Sequence, residues 1–166
     1  ELNAGVAAVM SDRMGKALDN LDTIELQRKF SEALAGFAVK AREIAKNHQG
    51  QCVYAGGDDV LAFLPASKAL ACARALADAF RQVTAQKKDV EDALSAKGIP
   101  FPTLSVGIAY GHFLEGLGEL RERAKRAERL AKDGLAGDDP LVQRDGLGII
   151  LHPRGGAPIE VRGRWN

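Results

Sequence analysis

Hydrophobic positions along the chain fall into two kinds of period. Val6 to Val9 is a short continuous apolar run followed by polar residues and Gly15, the pattern of a buried strand running into a turn. After Asp22, with Glu25 three residues on in a capping-box arrangement, Leu26, Phe30, Leu34, Phe37, Ala41 and Ile44 recur at steps of three and four. That stripe predicts an amphipathic helix ending near Asn47, ahead of Gly50. Gln51 to Ala55 and Val60 to Leu64 read as two strands around Gly56-Gly57-Asp58-Asp59, a β-hairpin that Pro65 stops. Ser67 is placed to cap a second long helix with the stripe Leu70, Ala73, Ala77, Phe80 and Val83.

Residues 85–98 are polar and charged, which predicts an exposed helical extension or a mobile insertion, bounded at about residue 100 by Pro100 and Pro102. Thr103 to Tyr110 is the clearest strand, with Leu104, Val106, Ile108 and Tyr110 alternating with small residues. A third long helix carries Leu117, Leu120, Ala124, Ala127 and Ala131 on one face. Arg121, Arg123, Lys125, Arg126, Arg129 and Lys132 crowd its other face, and Gly134 and Gly137 end it. Leu147 to Leu151 and Ile159 to Val161 are the last strands.

A helix between strands demands a crossover, and the hairpin demands an antiparallel pair. The order predicts an α+β fold: a mixed, mostly antiparallel sheet with helices on one face, of the ferredoxin-like or palm type. The 166 residues, 46% apolar and 27% charged, suit one domain over 1–166, with 85–100 as its exposed insertion. With 23 basic against 22 acidic residues the chain has no broad positive field, so a free-standing nucleic-acid binder is not indicated. No apolar run approaches the roughly 20 residues of a membrane span. The start Glu1-Leu2-Asn3-Ala4-Gly5 lacks Met and a basic stretch, which reads as a piece of a longer polypeptide without a signal peptide. Cys52 and Cys72 lie in apolar patterns and read as core thiols of a reducing, cytoplasmic compartment.

The hairpin tip carries the candidate chemistry. Asp58 and Asp59 are adjacent carboxylates preceded by two glycines, which accept positive φ and let a ligand approach the backbone. At a turn both carboxylates can reach one cation, and Mg²⁺ favours such a site of one or two carboxylates completed by waters and phosphate oxygens. An ordinary exposed turn uses the same residue types, so spacing alone divides the two readings evenly. Asp12, in the turn Ser11-Asp12-Arg13-Met14-Gly15-Lys16 after the first strand, is a third acid for the same cation or a solvated turn residue. His48, His112 and His152 show no ligand spacing, and no nucleophile–histidine arrangement is present.

Tyr54-Ala55-Gly56-Gly57-Asp58-Asp59-Val60-Leu61-Ala62-Phe63-Leu64-Pro65 resembles the signature of the large subunit of type III CRISPR effector complexes, in its cyclase-like palm. Three further pieces agree in order. Asp12-Arg13-Met14-Gly15-Lys16 is similar to the family's loop after the first strand, and Leu104-Ser105-Val106-Gly107-Ile108-Ala109 to its later core strand. Ala127-Glu128-Arg129-Leu130-Ala131-Lys132, with Arg144-Asp145-Gly146-Leu147-Gly148-Ile149, is similar to its last helix and strand. One departure stands out: the family usually has Asp-Gly-Asp where this chain has Met10-Ser11-Asp12, leaving one of two first-strand acids.

The resemblance implies synthesis of cyclic oligoadenylate from ATP with Mg²⁺ or Mn²⁺, the 3′-hydroxyl of one ATP attacking the α-phosphorus of another as pyrophosphate leaves. It implies Asp58 and Asp59 as catalytic metal ligands with Asp12 beside them, and Gly56, Gly57, Gly15, Lys16, Ser105 and Lys132 around the nucleotide. Lys132 is equally a helix C-terminal residue complementing the dipole, and Ser105 a small residue packed under a helix. Implied partners are a second palm domain and the other subunits of the complex with guide and target RNA. Loss of a first-strand acid equally suits a silent palm that binds ATP or contacts subunits and RNA. Diguanylate cyclases share the architecture and a related Gly-Gly hairpin, but a Glu and a Phe complete theirs. The basic helix face reads as solvated with i,i+4 pairs, or as a contact with RNA or a subunit. Trp165, in the tail Arg162-Gly163-Arg164-Trp165, reads as docking onto something outside the chain.

Overall fold

The computed structural model describes residues 4–12, 14–57, 59–112, 114–133, 144–153 and 156–165, with the first strand described by its backbone. Asp58, Gly134 and Gly137 lie outside the described residues. The elements are β1 (Ala4–Asp12), α1 (Met14–Asp19), α2 (Ile24–Asn47), β2 (Gln51–Gly56), β3 (Asp59–Leu64), α3 (Ala66–Ala85), α4 (Lys88–Ser95), β4 (Thr103–Gly111), α5 (Leu117–Lys132), β5 (Gly146–Leu151) and β6 (Ile159–Arg164). They build a six-stranded sheet in the order β2-β3-β1-β4-β5-β6. Every neighbouring pair is antiparallel except β4 with β5. The first four strands with α2 and α3 repeat the βαββαβ order of a ferredoxin-like unit. The mixed, mostly antiparallel α+β palm expected from the chain is present.

Helices cover both faces, which corrects the expectation of helices on one face. Alternation along the strands separates the faces. Val60, Ala62 and Leu64 of β3 and Leu104, Val106 and Ile108 of β4 pack with Phe30, Phe37 and Phe80 of α2 and α3. Phe37 and Phe80 meet edge to face at 5.2 Å, a geometry that favours the aromatic quadrupoles. The intervening residues Leu61, Phe63 and Ala109 pack instead with Leu120 and Ala124 of α5. Two glycines bring α5 down flush on that second face. A Cβ at Gly107 would run into the backbone of Ala124 and Glu128, and one at Gly148 into the carbonyl of Ala127. The parallel β4–β5 pair makes α5 a crossover helix and carries it to that side. It lies over β1, β4 and β5 and leaves β2 and the outer half of β3 uncovered there.

Four local expectations change. The α2 cap is Thr23, whose Oγ1 accepts the Leu26 N–H at 3.2 Å, while Asp22 is held by Lys97 at 2.5 Å. Ser67 lies inside α3, which starts after Pro65 without a side-chain cap. Leu70 is half exposed because the buried stripe of α3 runs through Ala69, Cys72, Ala73 and Leu76, rotated by about one residue. Residues 88–95 are the packed helix α4, with Val90 and Leu94 fully buried, so the polar segment is anchored in the core by two apolar residues.

The tail also docks within the domain. Trp165 is buried against the α2–α3 side, its Nε1 donates to the Leu104 carbonyl at 3.1 Å, and the Arg74 guanidinium stands 6.0 Å from its ring centroid. Arg81 of α3 reaches Asp145 at 2.9 Å and the Trp165 carbonyl at 3.2 Å, tying the approach to β5 and the end of β6 to one helix.

Candidate functional site

The hairpin tip, the end of β1 and the start of β4 meet at one end of the sheet. Gly57 at the tip has φ +60, a left-handed conformation that glycine adopts without strain. Asp59 is the first residue of β3 and pairs with Met10 of β1, which pairs in turn with Ser105 of β4. Asp12 stands two residues further along β1, opposite Thr103. The backbone therefore brings the 12, 57 and 59 positions to the same edge. Arg42 of α2 steadies the hairpin from behind, donating through Nη2 to the Ala55 carbonyl at 2.6 Å.

A cleft of about 790 Å³ opens where α5 leaves β2 and β3 uncovered. Its hairpin wall is Val53, Tyr54, Val60 and Leu61, with Asp59 at the tip end. A β-bulge between Cys52 and Tyr54 adds Val53 to β2, and Val53 and Tyr54 are both exposed. The Tyr54 ring folds back over Gly56, where a Cβ would strike it. The opposite wall is one stripe of α5, Arg121, Lys125, Glu128 and Lys132 at steps of four, three and four, with Arg129 beside it. This stripe adjoins the packed stripe Leu120, Ala124, Ala127 and Ala131, so burial of the second aims the first at the cleft.

The charges on that wall differ in how they are neutralised. Lys132 Nζ lies 2.7 Å from Glu128 Oε1, and both side chains are nearly buried, at 15% and 8% exposure. Lys125 faces Glu122 at 3.9 Å on the exposed surface. Arg121 and Arg129 make no ion pair among the described residues. Arg123 and Arg126 turn away, the first to Glu115 and Glu119 and the second to Glu160 at 2.5 Å. Four cations and two carboxylates therefore line a cleft whose other wall is largely apolar. That combination suits a polyanion with a flat apolar portion: the cations take the charge and the Tyr54 face takes the ring.

Of the residues singled out in the sequence, Asp59, Gly56, Gly57 and Lys132 belong to the cleft or its tip, and Asp12 joins them by register. Ser105 is fully buried in the sheet beside Met10 and does not line the cleft. Gly15 and Lys16 are exposed residues of the first turn of α1, not of an open loop, and they lie outside the cleft lining. Arg121, Lys125, Glu128 and Arg129 were visible only as a charged face. The available signal is the register that Arg121, Lys125 and Glu128 share with Lys132, one residue off the apolar stripe, with Arg129 next to it. Among the described residues no group of three or more His, Cys, Asp or Glu is gathered to hold a metal ion, and no helix is long and apolar enough to cross a membrane.

The profile of the Cas10/Cmr2 second palm domain matches residues 5–139. The CRISPR system Cmr subunit Cmr2 of Pyrococcus furiosus is 31% identical over 120 residues, covering 72% of this chain and 13% of that protein. Among solved structures, the Csm1–Csm4 cassette in complex with cA4 superposes with a TM-score of 0.64 at 19% identity, covering 91% of this chain and 21% of the other. The same cassette in complex with one ATP superposes equally, over 92% and 21%. The guanylyl cyclase Cya2 superposes with a TM-score of 0.58 at 14% identity, over 98% and 93%. The chain thus spans about an eighth to a fifth of its CRISPR relatives.

Proposed function

The chain belongs to the Cas10/Cmr2 second palm domain family, and on that premise we propose that its cleft binds ATP with a divalent cation for synthesis of cyclic oligoadenylate. One observation carries the reading. A cationic stripe of α5 faces the Asp59 tip and the Tyr54 wall across one cleft, as a triphosphate, its cation and its base require. The solved Csm1–Csm4 relatives described with ATP or cA4 add to its support.

Arg121, Lys125, Arg129 and Lys132 hold the phosphate chain and offset the charge that develops on leaving pyrophosphate. Tyr54 and Val53 hold the adenine. The Asp59 carboxylate, with Asp12 at the same edge by register and Asp58 its neighbour in the sequence, gives an all-oxygen donor set that fits Mg²⁺ or Mn²⁺. When bound, such an ion neutralises phosphate oxygens and makes the attacking hydroxyl more acidic. The reaction is attack of the 3′-oxygen of one ATP on the α-phosphorus of another, with the bond to pyrophosphate breaking and the hydroxyl proton leaving to solvent. Gly56 and Gly57 keep the tip slim enough for the phosphates to approach the backbone. Gly15 and Lys16, on α1 just after the end of β1 and outside the cleft lining, are left as outer contacts for the phosphates, and Ser105 supports the strand beside the tip. A second palm domain supplies the second nucleotide, and the parent assembly adds other type III subunits with guide and target RNA in the cytoplasm.

A second reading rests on one position. Met10, not an acid, pairs with Asp59, and a palm short of that ligand binds ATP without turnover. Calorimetry with Mg²⁺ separates the readings from one another and from a guanine-specific cyclase. Saturable binding that prefers ATP to GTP and is lost in Asp58→Asn/Asp59→Asn supports the ATP site. Oligoadenylate product in the full complex then selects the active palm, and binding without product the silent one. Binding indifferent to both aspartates, or absent, overturns both.

A further inference from the structure

Glu128 is the one acid on the cationic wall of the cleft, and its setting is unusual for an acid. It is 6% exposed, on a helix pinned to the sheet by Gly107 and Gly148, and its carboxylate engages Lys132 at 2.7 Å. Surface pairs on this helix, such as Lys125 with Glu122, are exposed and screened by water; this one is not. A nearly buried lysine and carboxylate satisfy each other, so Lys132 offers little net charge to an approaching anion while the pair is closed. Arg121 and Arg129, without ion pairs among the described residues, present their full charge to the same cleft.

We infer that Glu128 is a positioning residue that competes with phosphate for Lys132, so that a polyphosphate must take the lysine from its built-in partner. The inference rests on the reading of the cleft as a phosphate site, and it adds an opposing group that such a site does not need. Arg121 and Arg129 make the first contact. A ligand long enough to reach the last turn of α5 then breaks the Lys132–Glu128 pair, and the energy of that exchange is subtracted from its affinity. Glu128 thereby sets the length and charge a bound phosphate chain must have.

Inorganic tripolyphosphate is the probe, titrated calorimetrically at low salt with chelator present, and ATP is titrated in parallel with Mg²⁺ present. Glu128→Gln keeps the side-chain volume and a hydrogen bond to Lys132 while removing the charge. Tripolyphosphate should bind this variant on the order of five to ten times more tightly. In Lys132→Met, and in the double variant, the gain should vanish, because no released lysine remains. A thermal melt of each variant reports folding separately, and a merely structural Glu128 would lower the melting temperature without tightening binding. Unchanged or weaker tripolyphosphate binding in folded Glu128→Gln overturns the inference, as does a gain that survives Lys132→Met. If tripolyphosphate behaves as expected but ATP binds no better than it, the inference stands and the nucleotide reading falls.

Discussion

The indole of Trp165 donates its proton to the carbonyl of Leu104, at 3.1 Å, across the sheet from the end of β6 to the start of β4. The last described residue of the chain is thereby fastened beside the strand that begins at the functional edge. Trp165→Ala should destabilise the domain by about 3 kcal/mol, the usual cost of removing a buried aromatic ring. Trp165→Phe should cost less, about 1–2 kcal/mol, since the ring stays and the hydrogen bond goes. Urea denaturation followed by circular dichroism measures both. Equal losses would mean that the hydrogen bond, not the packing, holds the tail.

Leu94→Ala should cost about 3 kcal/mol, because Leu94 is fully buried in the core beneath the polar surface of α4. An insertion that merely decorates the surface would lose almost nothing. The same denaturation experiment decides, and a loss below about 0.5 kcal/mol would detach α4 from the core.

Gly107→Ala puts a methyl group against the backbone of Ala124 and Glu128, where no side chain can swing aside. Overpacking of this kind costs about 1–3 kcal/mol. It should also lift α5 from the sheet and weaken ATP binding, although residue 107 lies under the helix and not in the cleft. Calorimetry alongside a thermal melt checks both effects. A destabilised variant with unchanged affinity would show that the helix wall tolerates displacement.

Arg129→Ala should leave the melting temperature nearly unchanged, since the side chain is exposed and makes no ion pair among the described residues. Its ATP affinity should fall about tenfold, the loss of one charge-assisted contact. Raising salt should narrow the gap between variant and parent. A salt-independent difference would point to packing instead of charge.

Burial pushes the Cys72 thiol up to about 11, with nearby Cys52 adding to the shift. Cys52 is itself raised by burial, against the opposing field of Arg42. The folded value of Cys72 lies above its unfolded value, so the unfolded chain releases the proton first as pH rises. The stability linked to the buried neutral thiol is complete below about pH 9 and is lost as pH climbs toward 11. Melting temperatures from pH 8 to 11 should fall more steeply in the parent than in Cys72→Ala. Tyr110, also raised by burial, is common to both proteins and cancels. Parallel curves would mean the thiol is not the group that titrates.

The hairpin was legible because its signals are local. Two apolar runs, Gly-Gly between them and Pro65 after them define β2 and β3 to within a residue or so. The strand at Thr103 was equally plain, since small residues alternating with branched ones suit a layer covered on both sides. What escaped was set by tertiary position. Val90 and Leu94 sit among charges that hide a core contact, and Trp165 looks unpaired until β6, lying beside β5, is seen to end where its indole reaches β4. The charged stripe of α5 has the same periodicity whether it meets water or a cleft. Its role depends on which face of the sheet the helix covers, and residues 107 and 148 settle that only once their missing side chains are seen in space.

The extra residue in β2 separates two requirements that an unbroken strand would bind together. Cys52 and Tyr54 are two apart and in regular β structure would look the same way, yet Cys52 packs with the core and Tyr54 lines the cleft. One added residue changes odd to even along the strand. The interior half of β2 can therefore vary for stability while the half bordering the ligand varies for recognition, with neither change propagating across the bulge.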